Sequence, residues 1–302
     1  MSLDRRNFLK GAIAASALAA TPATGFTAQK EQREPLADDV GMLYDSTRCV
    51  GCMACMSACK RRNDLPVEHT DESQLYDDPV MLSSKTKTVI KSTGGPNPRF
   101  IKRQCMHCVK PACVSVCMLG ALHKSTGGVV VYDANRCVGC RYCQIACAFN
   151  VPKFEWDKAL PKIVKCEMCH DRLVAGEQPG CCEVCPREAV IFGRRHELLA
   201  EARRRIKSNP NYLTHIYGEH EVGGLQVLYI SDVPFTKLGL PDLGNEPVPE
   251  LSETVQHGIY RGFVAPVALY AALATVLVRH RKSHQDDEGG DDIFHTHNGE
   301  DL

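Results

Sequence analysis

The segment "CVGCMACMSAC" (Cys49–Cys59) sets the fold of this chain, because it places four cysteines at the spacing C-x2-C-x2-C-x3-C. The segment "CVGCRYCQIAC" (Cys137–Cys147) repeats that spacing. Two further copies are variants: "CMHCVKPACVSVC" (Cys105–Cys117) has a wider middle gap, and "CEMCHDRLVAGEQPGCCEVC" (Cys166–Cys185) a much wider one. We number these motifs one to four in chain order. An internal repeat of this kind indicates one structural unit used several times.

The spacing within each motif is typical of iron–sulfur ligation. Three thiolates two residues apart can hold three corners of an iron–sulfur cube, and the fourth cysteine leads into a helix and reaches a different cube. The four motifs therefore predict four 4Fe–4S clusters in two pairs. In motif four, Cys181 keeps the four-residue step to the last cysteine, so we predict Cys181 as the ligand and Cys182 as a spare thiol.

The pairing of the motifs follows from the segment between motifs two and three. Residues 121–133 predict a β-hairpin with its turn at Ser125–Gly128. This is the layout of a bacterial two-cluster ferredoxin, so motifs two and three exchange their fourth cysteines, and motifs one and four must do the same. The predicted ligands are set one (Cys49, Cys52, Cys55, Cys185), set two (Cys105, Cys108, Cys113, Cys147), set three (Cys137, Cys140, Cys143, Cys117) and set four (Cys166, Cys169, Cys181, Cys59).

Zinc and disulfides are the alternatives for a cysteine-rich chain. A structural zinc site closes with four ligands, usually as two separated pairs, and does not need three consecutive C-x2 steps. Disulfides occur in exported chains, but seventeen cysteines is an odd number and the close spacings give poor disulfide geometry. A zinc-stabilised scaffold that anchors partners without electron transfer is the competing hypothesis, and analysis of iron and sulfide distinguishes the two.

Both ends of the chain carry apolar segments. "DRRNFLK" (Asp4–Lys10) precedes a short apolar run, so residues 1–28 are predicted to be a signal peptide. Near the other end, Gly262–Val278 contains no charge and is followed by a basic cluster. We expect a transmembrane helix over 258–278 and a cytoplasmic tail over 279–302, with a buried soluble helix as the alternative.

The remaining patterns predict an α+β fold made of two nested ferredoxin-like units, each for two 4Fe–4S clusters, plus the C-terminal transmembrane helix. Residues 41–100 and 150–207 form the outer unit, 101–149 the inserted unit and 208–257 an extension. The stretch 194–207 predicts a packing helix, with Leu198, Leu199, Ala202 and Ile206 on one face.

Composition and motifs limit the function. The 302 residues include 36 basic and 36 acidic side chains, a balance that argues against a nucleic-acid partner. We find no Ser–His–Asp set, phosphate-binding loop or nickel-ligand pattern, so no catalytic residues are predicted. The chain is expected to conduct electrons and not to be an enzyme by itself.

Several segments resemble a known family: "GMLYDSTRCVGC" (41–52), "NVPKF" (150–154), "AVIFGRRHELLAEA" (189–202) and "HIYGEHEVGGLQVLYISDVP" (215–234). They resemble the four-cluster ferredoxin subunits of membrane-bound anaerobic oxidoreductases, most of all the iron–sulfur subunit of nickel–iron hydrogenases of the hydrogenase-2 type. The resemblance implies four 4Fe–4S clusters that carry electrons from the small and large subunits of a periplasmic hydrogenase to a membrane-integral, quinone-reactive subunit.

The same resemblance explains the N-terminal segment, which is similar to a twin-arginine export motif. The twin-arginine route carries folded proteins. A chain whose clusters are assembled in the cytoplasm must be exported in the folded state. We therefore expect the protein at the periplasmic face of the cytoplasmic membrane, anchored by a single span with its C-terminal tail in the cytoplasm. The alternative is the equivalent beta subunit of a formate dehydrogenase or another molybdopterin oxidoreductase, although such subunits usually lack a signal of their own.

Overall fold

The computed structural model describes residues 35–66, 81–249 and 264–288. These residues fall into two units, one within 32–251 and a second that contains the helix near the C-terminus. The predicted signal peptide, residues 1–28, lies outside the described residues.

Short strands and short helices alternate through the first unit, in keeping with an α+β class. The strands are β1 (Val40–Asp45), β2 (Val89–Ser92), β3 (Phe100–Arg103), β4 (Leu122–Lys124), β5 (Val130–Tyr132), β6 (Lys153–Phe154), β7 (Ile163–Val164), β8 (Val190–Arg194) and β9 (Val227–Ile230). The helices are α1 (Ala54–Arg62), α2 (Ala112–Ser115), α3 (Tyr142–Ala146), α4 (His170–Val174), α5 (Gly180–Glu183) and α6 (Arg195–Ser208), with a 3-10 turn at Glu221–Gly223. The second unit contains α7 (Val264–Glu288).

A three-stranded sheet joins the two ends of the cysteine-rich region. Its order is β8-β1-β9, with β1 antiparallel to β8 and parallel to β9. Met42, in the middle of β1, lies opposite Phe192 on one side and Val227 on the other. Because β1 leads into motif one and β8 follows motif four, the sheet brings these distant motifs to one place.

Strand β9 lies in the stretch that the sequence predicts as an extension, residues 208–257. All four of its residues are buried, and Leu228 and Ile230 pack with the face of α6. The parallel pairing with β1 makes this part of the extension a component of the main core.

Two local predictions are confirmed. The hairpin between motifs two and three is β4 and β5, paired antiparallel with Leu122 opposite Tyr132. Helix α6 buries Leu198, Leu199 and Ala202, with Ile206 packed beside them, as its spacing predicts. Both elements are specified by residues close together in the chain, which is why the sequence alone reveals them.

The expected transmembrane helix over 258–278 is wrong. In 35–66, 81–249 and 264–288, no helix combines the length and the apolar character needed to cross a membrane. Within the described residues, the apolar part of α7 is Val264–Val278, and polar and charged residues fill the helix from Arg279 to Glu288. At 1.5 Å per residue this apolar part is about 22 Å long, shorter than a hydrocarbon core of about 30 Å. Residues 258–263 lie outside the described residues.

A buried ion pair fastens α6 to the sheet at the entrance to motif one. The Asp45 carboxylate is fully buried, and its Oδ2 accepts hydrogen bonds from Arg205 Nη1 at 3.2 Å and from the Tyr212 hydroxyl at 2.9 Å. Its Oδ1 accepts from the Thr47 hydroxyl at 2.7 Å. A buried carboxylate with these partners fixes the end of β1 four residues before Cys49.

Removing this charge tests its contribution to stability. Asp45→Asn keeps the side-chain shape but leaves the Arg205 guanidinium with only the less buried Glu201 carboxylate as counter-charge, so we expect a loss of about 2 kcal/mol in the free energy of unfolding. The control is Arg204→Gln, which removes an exposed pair with Glu201. Thermal unfolding of the full chain should show a clearly lower midpoint for Asp45→Asn and no measurable change for Arg204→Gln. Equal midpoints would contradict the assignment.

Candidate metal centres

Each C-x2-C loop contains a residue in the left-handed region at the same position, directly before the second cysteine. These residues are Gly51, His107, Gly139 and Met168, with φ of 70°, 48°, 72° and 56°. A left-handed residue inside a turn directs successive backbone N–H groups toward one side, a concave arrangement found at many iron–sulfur sites.

Two of these loops already direct amide hydrogens at sulfur. The backbone N–H of Gly139 donates to Cys137 Sγ at 3.4 Å, and that of Met168 donates to Cys166 Sγ at 3.3 Å. The loops are therefore shaped to stabilise charge on the first cysteine of each motif.

The structure places the outer cysteines in crossed groups. One cavity is lined by Cys49, Cys52 and Cys55 of motif one together with Cys185 of motif four, the four residues of set one. A second cavity is lined by Cys166, Cys169 and Cys181 of motif four together with Cys59 of motif one, the residues of set four. Helix α1 spans the two sites, because it contains both Cys55 and Cys59.

The inner cysteines are grouped in the same crossed manner. A third cavity is lined by Cys137, Cys140, Cys143 and Cys117, the residues of set three. In set two, burial raises the pKa of the Cys108 thiol well above its usual range, and the neighbouring thiols of Cys105, Cys147 and Cys113 add to this. The members of set two therefore lie close to one another.

The donor chemistry of these sites fits a multi-iron group. Within the described ranges, no three His, Cys, Asp or Glu side chains converge as a single metal ion would require. In sets one, three and four the thiols line the walls of a cavity, and four thiolates around one site are the ligands that 4Fe–4S clusters use.

The four sets follow one another in the spatial order one, four, two, three. Between sets one and four, the charges of Cys55 and Cys181 interact. Between sets four and two, the neighbour of Cys166 is Cys105. Between sets two and three, Cys113 packs against the buried cluster that contains Cys143. This order could not be read from the sequence, because it depends on how the motifs pack.

Burial makes these thiols poor acids by themselves. Desolvation is the main cause that raises the pKa of Cys55 and of Cys113 to about 12, and that of Cys59 to about 11. The thiolate form in these cavities therefore needs bound metal cations, and metal binding must release protons.

Cys181 and its neighbour Cys182 differ in their position relative to the set-four cavity. Cys181 lines the set-four cavity together with Cys59, whereas Cys182 does not. A hydrogen bond from Cys182 lowers the pKa of Cys181, burial opposes this, and Lys102 lowers it further. The pKa of Cys182 is raised by the same hydrogen bond and by burial. The lining of the set-four cavity therefore supports the prediction of Cys181 as a ligand and Cys182 as a spare thiol.

His107, in the loop of motif two, adds a buried donor. Its Nδ1 accepts the backbone N–H of Val130 at 3.0 Å, so the proton of the neutral ring belongs on Nε2. Burial is the main cause that lowers the pKa of His107, which keeps the ring neutral. Nε2 is buried and has no hydrogen-bond partner among the described residues, which fits a donor placed to serve a bound acceptor such as cluster sulfide.

Sequence reasoning missed Lys102, which lines the cavities of both set one and set four. The stretch "RFIKRQC" alternates apolar and polar residues weakly, and nothing in it indicates that its one lysine side chain is buried. In the structure Lys102 pairs with Ile90 of β2 and is buried, a placement that depends on how β3 packs against distant segments.

Four cysteine sets of ferredoxin type on this scaffold define an iron–sulfur electron-transfer protein. A family model described as a 4Fe–4S dicluster domain matches residues 97–195, and a model of the twin-arginine translocation pathway signal sequence matches residues 2–22. The second match indicates export.

Comparison with curated proteins identifies the family. The chain is 41% identical to the hydrogenase-2 operon protein HybA of Escherichia coli O157:H7, over 96% of this chain and 99% of that protein. It is 32% identical to the iron–sulfur subunit of the nitrate-inducible formate dehydrogenase of Escherichia coli K12, over 78% of this chain and 82% of that protein. The chain belongs to the family of the hydrogenase-2 iron–sulfur subunit HybA.

The loop of motif one can be tested at Gly51. A Cβ there would collide with the Phe100 ring, and φ of 70° is unfavourable for alanine. We expect Gly51→Ala to lower bound iron by about one cluster per chain, because the loop of set one cannot close. Gly94→Ala is the matched control, since Gly94 has the same φ but nothing within 4 Å. Equal iron contents in the two variants would refute this description of the loop.

The adjacent cysteines give a second test. Cys181→Ser should remove a thiolate of set four and change the electron paramagnetic resonance (EPR) spectrum of one cluster, with loss of its iron. Cys182→Ser, one position away and equally conservative, should retain the full iron content. The reverse outcome would show that Cys182 is the ligand.

Proposed function

We propose that this chain relays electrons through four 4Fe–4S clusters, one in each cysteine set, between a nickel–iron hydrogenase and a membrane-integral, quinone-reactive subunit. The hydrogenase partner comprises a small and a large subunit, and the complex lies on the periplasmic side of the membrane. The proposal rests on the family membership, on the export signal and on the arrangement of the cysteine sets. A 4Fe–4S cluster supplies reversible one-electron transfer when it is bound.

The observation that carries the proposal is the exposure of cysteines in the two sets at the ends of the spatial order. All seventeen cysteines lie in described residues, and only Cys52 and Cys140 are exposed. Cys52 belongs to set one and Cys140 to set three, the two ends of the spatial order. The intervening sets are shielded, as a relay needs if electrons are to enter at one end, leave at the other and be kept from solvent between them.

The surface around set three supports a partner at that end. Met118 and Val138 line the same cavity as Cys140, and they are 82% and 73% exposed. Beside them, Trp156 is 69% exposed and lies under the Arg141 guanidinium, 4.9 Å from the ring centroid. Exposed apolar side chains that cluster around a functional group are typical of a protein interface.

The alternative function is that of the corresponding subunit of a formate dehydrogenase. The 32% identity to such a subunit over most of the chain supports it. The hydrogenase assignment is supported by a higher sequence identity to HybA, by a longer aligned part of the chain and by the signal sequence.

Analysis of the purified complex tests the cofactor and the partner together. We expect about sixteen iron and a similar amount of acid-labile sulfide per chain of this protein, with an EPR signal in the reduced state. The complex should reduce a quinone analogue with hydrogen and not with formate. Zinc without an EPR signal would support a scaffold, and activity with formate alone would support the alternative.

A variant separates conduction from catalysis in this assay. Cys117→Ser removes a thiolate of set three, and we expect hydrogen-driven quinone reduction to fall at least tenfold. Reduction of a viologen dye that accepts electrons directly from the hydrogenase should persist. Cys182→Ser is the control and should leave both activities unchanged. Loss of dye reduction in Cys117→Ser would contradict a relay role for this chain.

A further inference from the structure

Lys102 is a buried cation between two of the cysteine sets. It lies in β3, its side chain is 1% exposed, and it lines both the cavity of set one and the cavity of set four. The ammonium group interacts electrostatically with Cys55 of set one and with Cys181 and Cys166 of set four. A single side chain therefore faces both sites.

Among the described residues, no carboxylate forms an ion pair with Lys102 that would balance this buried charge. Within the part of the chain that the structure describes, the ion pairs involve other cations, and Lys102 Nζ donates to the amide oxygen of Gln104. An unpaired buried ammonium is costly, so a buried lysine normally has an anionic partner. Here the negative charge nearby is that of the cysteine sulfurs, which become anionic when they bind metal.

Neighbouring residues hold Lys102 in this position. The Gln104 side chain, which accepts from Lys102, donates through Nε2 to Met42 Sδ at 3.0 Å. The hydroxyl of the buried Tyr229 donates to the backbone carbonyl of Lys102 at 2.8 Å. The ammonium group is thereby fixed between β1 and the two cavities and cannot reach solvent.

We infer that Lys102 is a shared electrostatic tuning residue that raises the reduction potentials of the metal groups in sets one and four together. A fixed positive charge stabilises the more negative, reduced state of each neighbouring cluster, and burial keeps solvent from screening that interaction. This inference rests on the proposed function, since it requires a redox cluster in each of the two sets. The inference gives β3 an electrostatic role, which differs from the ligand role of the cysteines.

The test is an EPR-monitored redox titration of the full chain in its purified complex. Lys102→Met removes the charge and keeps an unbranched side chain of similar length. We expect the ratio of reduced to oxidised cluster at fixed potential to fall at least tenfold for two of the four clusters. For a one-electron couple this is a downward shift of about 59 mV or more.

Three further variants separate tuning from a structural role. Arg103→Met removes the same charge one position along β3, where the side chain faces outward and donates to the carbonyl of Gly239. It should leave all four potentials unchanged. Lys102→Arg retains the charge and should keep the potentials close to those of the unmodified chain. Gln104→Glu places a carboxylate against the same ammonium and should lower the same two potentials as Lys102→Met.

The outcomes are distinguishable. Unchanged potentials in Lys102→Met and Gln104→Glu at full iron content would overturn the inference, as would an equal shift in Arg103→Met. If Lys102→Met fails to bind iron, the reduction potentials measured for Gln104→Glu test the inference. Failure of both to bind iron also overturns the inference, because a tuning residue is not required for assembly. An unmodified chain without about sixteen iron would refute the proposed function instead.

Discussion

A buried thiolate is stable only where positive charge compensates it, and this requirement governs the whole first unit. Burial raises the pKa of thiols such as Cys55, Cys59 and Cys113 far above neutrality. The cavities are thus unfavourable for free thiolates and favourable for thiolates bound to metal cations. Backbone N–H groups in the left-handed loops, and Lys102 between two of the sites, supply the remaining positive potential.

The scaffold meets this requirement with few regular elements. Strand β1 pairs with β8 and β9 and so closes a sheet around the start of motif one and the end of motif four. Helix α1 carries Cys55 to one cavity and Cys59 to the next, a step of roughly one helical turn. The ferredoxin-type spacing therefore connects two neighbouring sites through one short rigid helix. Repetition of this connection gives the spatial order of the sets.

The features that sequence predicts here are those that depend on local spacing. The spacing of cysteines within each motif, the β4–β5 hairpin and the apolar face of α6 all depend on residues near one another in the chain. The pairing of β9 with β1 joins segments more than 180 residues apart, and no local pattern specifies it. The burial of Lys102 likewise depends on neighbours from distant segments. The membrane span was wrongly expected because an apolar run was judged by composition, without the extent of the helix that contains it.

The crossed grouping of cysteines has a consequence for biosynthesis. Sets two and three contain no residue beyond Cys147, whereas set one requires Cys185 and set four requires Cys181. A ribosome thus delivers a complete inner pair of sites while the outer pair still lacks ligands. The outer sites therefore lack a full ligand set until the chain has been synthesised to Cys185, so the earliest-made cysteines belong to the sites that are completed last.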